Sequence, residues 1–189
     1  MHSSSNISPQ SGSLLISKPF LQDENFVRSV VLLCENNELG SFGLVLNKLS
    51  IFKLDELLEG CELLDKEVYV GGPVEQNTLH FIYQGEKQLE DSVALGEALW
   101  WGGSFTELMD KNKLGLVDMA DYRFFIGYSG WDTGQLTAEL TENTWIVCDN
   151  AQAKNIFKSE PDDLWREILK NMGGDFQVLA NYPIDPRLN

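Results

Sequence analysis

Phe124-Phe125-Ile126-Gly127-Tyr128-Ser129-Gly130-Trp131-Asp132-Thr133-Gly134-Gln135-Leu136 reads as a buried strand, a tight glycine-rich corner and the first turn of a helix. Phe124, Ile126 and Tyr128 alternate onto one face at the strand period of two. Gly127, Gly130 and Gly134 punctuate the corner, where a residue without a side chain permits close backbone approach. Asp132 is placed to cap the following helix, with Gln135 three residues on in the capping-box position.

Working outward, the chain before this stretch reads mostly as strands. Leu14-Leu15-Ile16 is a first strand, and Asp23-Glu24-Asn25 is a turn able to cap one helical turn. Val27 to Glu35 and Ser41 to Asn47 form a hairpin around Asn36–Gly40. Val30, Leu32 and Cys34 share one face with Arg28, while Val31 and Leu33 take the other, so this strand is covered on both sides. Leu54, Leu57 and Leu58 give a short helix ended by Gly60. Glu67–Val70, Thr78–Gln84 and Ala98–Trp101 are further strands. Ser104 and Glu107 form a capping box that opens a helix carrying Phe105, Leu108 and Met109. After the quoted stretch come a strand at Trp145–Cys148, a helix at about 151–158, and a helix from Pro161 to Met172. Phe176 to Asn189 reads as extended. Hairpins first and helices later point to a mixed sheet in an α/β or α+β domain. Residues 1–12 read as a Ser-rich flexible tail, and 13–189 as one domain.

Composition excludes several classes. A 189-residue chain that is 43% hydrophobic and 11% aromatic is long and apolar enough for a real core. No apolar run approaches the roughly 20 residues that span a bilayer. With 29 acidic against 14 basic side chains, the net charge is −15. That field repels phosphate backbones and anionic lipid, so direct nucleic-acid or membrane binding is not expected. Cys34, Cys61 and Cys148 include no CxxC pair, which suggests reduced thiols in a cytosolic protein.

The candidate chemistry is sparse. Gly127-Tyr128-Ser129-Gly130-Trp131 approaches the nucleophile elbow G-x-S-x-G but ends in tryptophan. The only histidines, His2 and His80, both precede Ser129, whereas that hydrolase order puts histidine last. Gly71-Gly72-Pro73 and Gly102-Gly103-Ser104 match no phosphate-loop pattern and read first as turns. Two histidines and three scattered thiols give no metal-ligand spacing, so neither metal nor cofactor is expected. Arg28 and Asn47 are polar residues in otherwise apolar strands of the first hairpin. They read as a hydrogen-bonding clamp, or alternatively as the lining of a small anion-accepting cleft.

Three stretches together resemble the AlgH family, also called UPF0301. They are Lys18-Pro19-Phe20 through Val30 running on to Gly43-Leu44-Val45-Leu46-Asn47-Lys48; Val70-Gly71-Gly72-Pro73-Val74; and Gly127–Trp131 with Gly134-Gln135-Leu136 and Glu139. The resemblance covers nearly everything after the tail. It implies a single domain with a branched, partly barrel-like mixed β-sheet surrounded by helices, in a bacterial cytosol. The family commonly has alanine where this chain has Ser129, which weakens the nucleophile reading. It carries a transcriptional-regulator label but brings no catalytic or binding residues with it.

The expectation is therefore a cytosolic binding or regulatory protein, acting through a protein partner or small ligand, with no catalytic set. Its candidate ligand- or partner-binding residues are Arg28, Asn47, Gly72, Trp131 and Gln135. One alternative is an enzyme with an unusual site near Arg28, Asn47 and the Gly127–Trp131 corner. Another is a DNA-acting regulator, which the charge disfavours.

Overall fold

The computed structural model describes residues 8–59, 64–149 and 153–183. His2, Gly60, Cys61 and the last six residues of the extended C-terminal segment lie outside them. Among the described residues, ten strands and six α-helices follow one another as β1 (Leu14–Ser17), β2 (Val30–Asn37), β3 (Gly40–Val45), β4 (Leu49–Lys53), α1 (Leu54–Leu57), β5 (Glu67–Val70), β6 (Val74–Gln84), β7 (Val93–Gly96), β8 (Leu99–Trp101), α2 (Phe105–Lys113), β9 (Tyr122–Asp132), α3 (Gln135–Thr141), β10 (Trp145–Cys148), α4 (Ala153–Lys158), α5 (Pro161–Met172) and α6 (Asp175–Leu179). The main path through the sheet is β10-β1-β2-β3-β9-β6-β8-β7, with β4 and β5 branching from it. All pairs are antiparallel except β5 with β9, so the sheet is mixed and α+β in class. It does not close. Its far strand nevertheless bends round until the Leu95 carbonyl lies against Gly12, where an added Cβ would fall 1.8 Å from that oxygen.

The expected corner at Gly127–Trp131 is not a corner. β9 runs unbroken for 11 residues and is the strand on which the sheet forks. Its first half pairs with β5 on one side and β6 on the other: Phe124 opposes Val68 and Phe81. Its second half pairs with β3, Ser129 opposite Gly43 and Asp132 opposite Gly40. Between the halves, backbone packs on backbone. A Cβ on Gly71 would lie 2.3 Å from the Gly127 oxygen, and one on Gly72 2.2 Å from the Tyr128 carbonyl carbon. Gly71 N–H donates to Ile126 O (2.9 Å) and its carbonyl accepts from Val45 N–H (2.8 Å), tying β9 to β3 through the fork. Gly127, at φ 65°, lies where β6 slips register between Val74 and Leu79. Gly127 therefore serves a fork rather than a turn, while Gly134, at φ 78°, does sit in the turn before α3.

Each side of the sheet has its own core. Leu32, Leu44, Ile82, Phe125 and Ile146 face Leu164, Trp165, Ile168 and Leu169 of α5. Leu54, Phe81, Tyr83 and Phe124 form a second cluster with Leu108 of α2. Leu15, Val31, Leu33 and Val45 form a third with Trp131, Leu136 and Trp145. β2 is covered on both faces, as its double apolar pattern implied. The adjacent Phe124 and Phe125 are both fully buried, on opposite faces. Each such ring contributes roughly 1.5–3 kcal/mol.

Several local expectations are corrected. β2 begins at Val30, because Arg28 takes a left-handed φ of 48° that no strand continues. The α3 N-cap is Gly134, not Asp132; Gln135 Oε1 instead accepts from Asp132 N–H at 3.0 Å. Ser104 caps α2 at Glu107 N–H (3.2 Å), but Glu107 reaches across to Glu90 N–H (2.7 Å) rather than back to Ser104. Residues 175–179 are helical, not extended, since Phe176 and Leu179 pack on the first core.

Gly72→Ala is expected to destabilise the fold by about 2–3 kcal/mol or more, the range for forced overpacking. Gly134→Ala, whose Cβ would meet nothing within 4 Å, is expected to cost only about 1–2 kcal/mol of left-handed strain. Chemical denaturation of the two variants side by side measures the difference.

Candidate functional site

One broad opening follows from where the sheet stops. β10 is an end strand whose sole strand partner among the described residues is β1. Lys18 N–H donates to Thr144 O (3.2 Å), which fixes the alternation of the antiparallel ladder. Ile146 and Cys148 bond to Ile16 and Leu14, whereas Trp145 and Val147 stand at non-bonded positions opposite Ser17 and Leu15. The N–H and C=O groups of Trp145 and Val147 therefore point away from the sheet. They meet no backbone or side-chain partner among the described residues.

A groove of about 890 Å³ runs along this edge. Leu136 and Leu140 of α3 form one wall, and Met172, Phe176 and Leu179 of α5 and α6 the other. The walls belong to different cores, the third and the first, so the groove straddles the sheet edge. Among the described residues, Asp132, Asp175 and Lys18 are the charged ones lining it.

One carboxylate holds the α3 wall in place. Glu139 Oε2 accepts the indole N–H of Trp131 (2.9 Å) and of Trp145 (2.7 Å). Its Oε1 accepts from Gln135 Nε2 (3.0 Å). Three donors on one acid tie α3 to β9 and β10. The two rings meet edge to face at 6.1 Å, and Phe26 stacks on Trp131 at 6.4 Å. Sequence reasoning selected Trp131 and Gln135 and used Glu139 only as a family marker. The spacing Gln135-x-x-x-Glu139 on a helix, between two tryptophans, is the signal that could have found it.

Arg28 and Asn47 lie elsewhere. Asn47 Oδ1 accepts from Val30 N–H and its Nδ2 donates to Arg28 O, both at 2.9 Å. The side chain thus stands in for a strand at the mouth of the hairpin. The Arg28 guanidinium lies 4.7 Å from the Trp165 ring centre and donates to Tyr182 O, while Arg166 Nε donates to Ala180 O at 3.3 Å. Two arginines thereby fasten the carbonyl end of α6. Burial, then the neighbouring Arg166, lowers the Arg28 pKa. Arg28 belongs to the first-core side of the sheet and Trp131 to the third-core side. Neither residue lines the groove. Gly72 lies in the fork, with no room around it.

Three further reactive side chains, Ser129, His80 and Cys34, are engaged or sealed. Ser129 is fully buried in β9 and donates to Gly71 O at 3.0 Å. His80 contacts Thr78 Oγ1 (3.1 Å) and turns its ring toward Phe42 and Tyr128. It lines a smaller cavity of about 350 Å³ with Trp101 and Phe105. Cys34 is fully buried, and burial followed by the nearby Glu35 pushes its thiol well up, the opposite of thiol activation.

A family model described as AlgH-like matches residues 14–177. The chain belongs to this family. A UPF0301 protein of Cytophaga hutchinsonii is 43% identical over 179 residues, covering 94% of this chain and 98% of that one. A UPF0301 protein of Parabacteroides distasonis is 37% identical, covering 97% and 93%. Among solved structures, the solution structure of the AlgH protein from Pseudomonas aeruginosa is similar with a TM-score of 0.70 at 27% identity, covering 93% of this chain and 96% of that one. A crystal structure of a Corynebacterium diphtheriae protein shares the fold, with a TM-score of 0.78 at 20% identity and 93% coverage of both. The names of these relatives assign no activity. Among the described residues of this family member, no helix is long and apolar enough to cross a membrane.

Glu139→Ala strips two indoles and an amide of their acceptor. Hydrogen bonds to charged groups contribute about 1.5–3 kcal/mol each, so the variant is expected to lose about 3 kcal/mol in chemical denaturation. Glu139→Gln, which keeps one carbonyl acceptor, should lose less. A separate expectation concerns His80, whose pKa is lowered by burial against a smaller opposing effect of Glu75. The unfolded chain then binds the proton more readily. The stability due to neutral His80 is complete above about pH 6.5 and lost as pH falls through the lower folded-state value. The stability difference between wild type and His80→Asn should shrink over that descent, measured by urea unfolding at successive pH values.

Proposed function

We propose that this protein acts by binding, with the groove along β10 as its site. The observation that carries this reading is an unpaired strand edge lying between two apolar walls. Natural sheets blunt free edges with short length, charge, proline or bulges; Trp145-Ile146-Val147-Cys148 is short but carries no charge, proline or bulge. The engagement of Ser129, His80 and Cys34 supports a non-catalytic role. So does the engagement of Asn47 at the mouth of the first hairpin and of Arg28 at the end of α6.

The regulatory label of the family fits action through a protein partner better than through DNA, because a net charge of −15 opposes phosphate contact. Free thiols at Cys34 and Cys148 support the reading of a reducing, cytosolic setting. Among the residues named from sequence, Trp131 and Gln135 support the groove from behind through Glu139.

Nuclear magnetic resonance titration of the labelled protein with small-molecule fragments and ten-residue display-selected peptides tests the site. Shift changes should concentrate on β10, α3 and α6. Leu140→Gln combined with Phe176→Ser should weaken the best ligands at least fivefold. Ligands that map to the His80 cavity or to the Arg28 region instead, or a substrate turnover abolished by Ser129→Ala, would overturn the reading.

A further inference from the structure

We infer that the occupant of the groove is an extended segment of another protein that adds to β10 as a new edge strand, with apolar residues alternating and basic residues interspersed or flanking. This rests on the reading of the groove as the binding site and specifies what fills it.

Three observations converge on a strand. First, Trp145 and Val147 turn their backbone donors and acceptors outward at i and i+2, the spacing at which an added strand pairs. Second, both flanks are apolar. A strand laid on this edge sends alternate side chains to opposite faces. One set would meet Leu136 and Leu140, the other Met172, Phe176 and Leu179. A small apolar ligand would use one wall and leave the backbone groups of the edge unmatched. Third, the charge selects the segment. Among the described residues, the groove is lined by Asp132 and Asp175 with Lys18 as the one cation, Glu142 and Asp149 are exposed at the ends of α3 and β10, and the whole chain carries −15. Lysine or arginine in the segment is drawn to this rim.

A second copy of the chain fits less well. It brings the same −15. Its own β10 also lies between walls, and paired strands must approach to about 4.8 Å, where the two sets of walls would collide.

The test begins with selection of ten-residue peptides from a display library on the intact protein. The selected sequences should alternate apolar residues and be enriched in Lys and Arg. In the free protein, the amides of Trp145 and Val147 should exchange with solvent faster than those of Ile146 and Cys148. On binding the synthetic selected peptide, both should become protected at least tenfold. Val147→Pro removes an outward N–H without touching the ladder to β1, as proline is tolerated at edges. It should weaken binding at least tenfold, whereas Val147→Ala, which keeps the N–H, should weaken it less than threefold. N-methylation of alternate peptide amides should abolish binding in one phase and spare it in the other. Replacement of the peptide's basic residues by Glu should weaken it at least tenfold at low salt.

Peptides that bind the groove with unprotected Trp145 and Val147 amides, and equally well to Val147→Pro, would overturn strand addition while leaving the groove as a binding site. Selection that returns no peptide protecting those amides would overturn it too. So would protection that rises with protein concentration alone, which is self-pairing of copies.

Discussion

Backbone packed directly on backbone at Gly71, Gly72 and Gly127 is the constraint on which the fold depends. β5 can wedge between β3 and β9 only because no side chain separates these segments. The hydrogen bonds from Gly71 N–H to Ile126 O and from Val45 N–H to Gly71 O then carry the ladder through the fork. Ser129 adds a bond from its hydroxyl to Gly71 O, a contact that the small residue makes without widening the gap. An alanine at this place would leave the packing and lose only that bond. Because β9 can serve two branches, one strand supplies side chains to three cores.

Branching also decides where the sheet has to end. Strands added beyond β3 on one side and β6 on the other curve round, bring β7 close to the start of β1, and leave β10 at the lip. α4, α5 and α6 fill the first core from within this curve. α3 covers the third core from outside. The edge between these two layers is the place where neither finishes the job. Glu139 keeps that lip rigid by gathering two indoles and an amide onto one carboxylate. Rigidity there matters to recognition, because an edge that is already extended costs a partner less ordering than one that must be straightened.

Much of the strand pattern was legible in the sequence, since period-two alternation and double-faced apolar runs report burial directly. β2, β5 and β10 and the helix from Pro161 follow from such runs with little ambiguity. The fork was not legible. A cluster of glycines signals close approach or a turn with equal force, and a local reading prefers the turn because turns are short-range. What distinguishes them is the partner, Gly71-Gly72, some 55 residues upstream of Gly127. Asp132 and Ser104 show a related limit. Capping patterns name the residues that bond: Gln135 does serve Asp132 although Gly134 is the N-cap, whereas tertiary geometry turned Glu107 to Glu90.

The candidate site was less legible than the fold, for a physical reason. Sequence inspection weighs side chains, and it weighed serine, histidine, arginine and asparagine as possible chemistry. Ser129 and Asn47 are here satisfied by backbone carbonyls and amides, and Arg28 is held by the Tyr182 carbonyl and the Trp165 ring, so all three complete the scaffold. The groove offers the reverse: its polar groups are main-chain atoms of Trp145 and Val147, and its side chains are ordinary apolar ones. Nothing in the letters Trp-Ile-Val-Cys marks an edge strand, because the same letters serve equally in the middle of a sheet. Only strand order exposes them. A protein whose binding groups belong to its backbone will hide its site from motif reading, and its specificity will rest on walls and rim charge, here the α3 leucines, the α6 aromatic and the acids at either end.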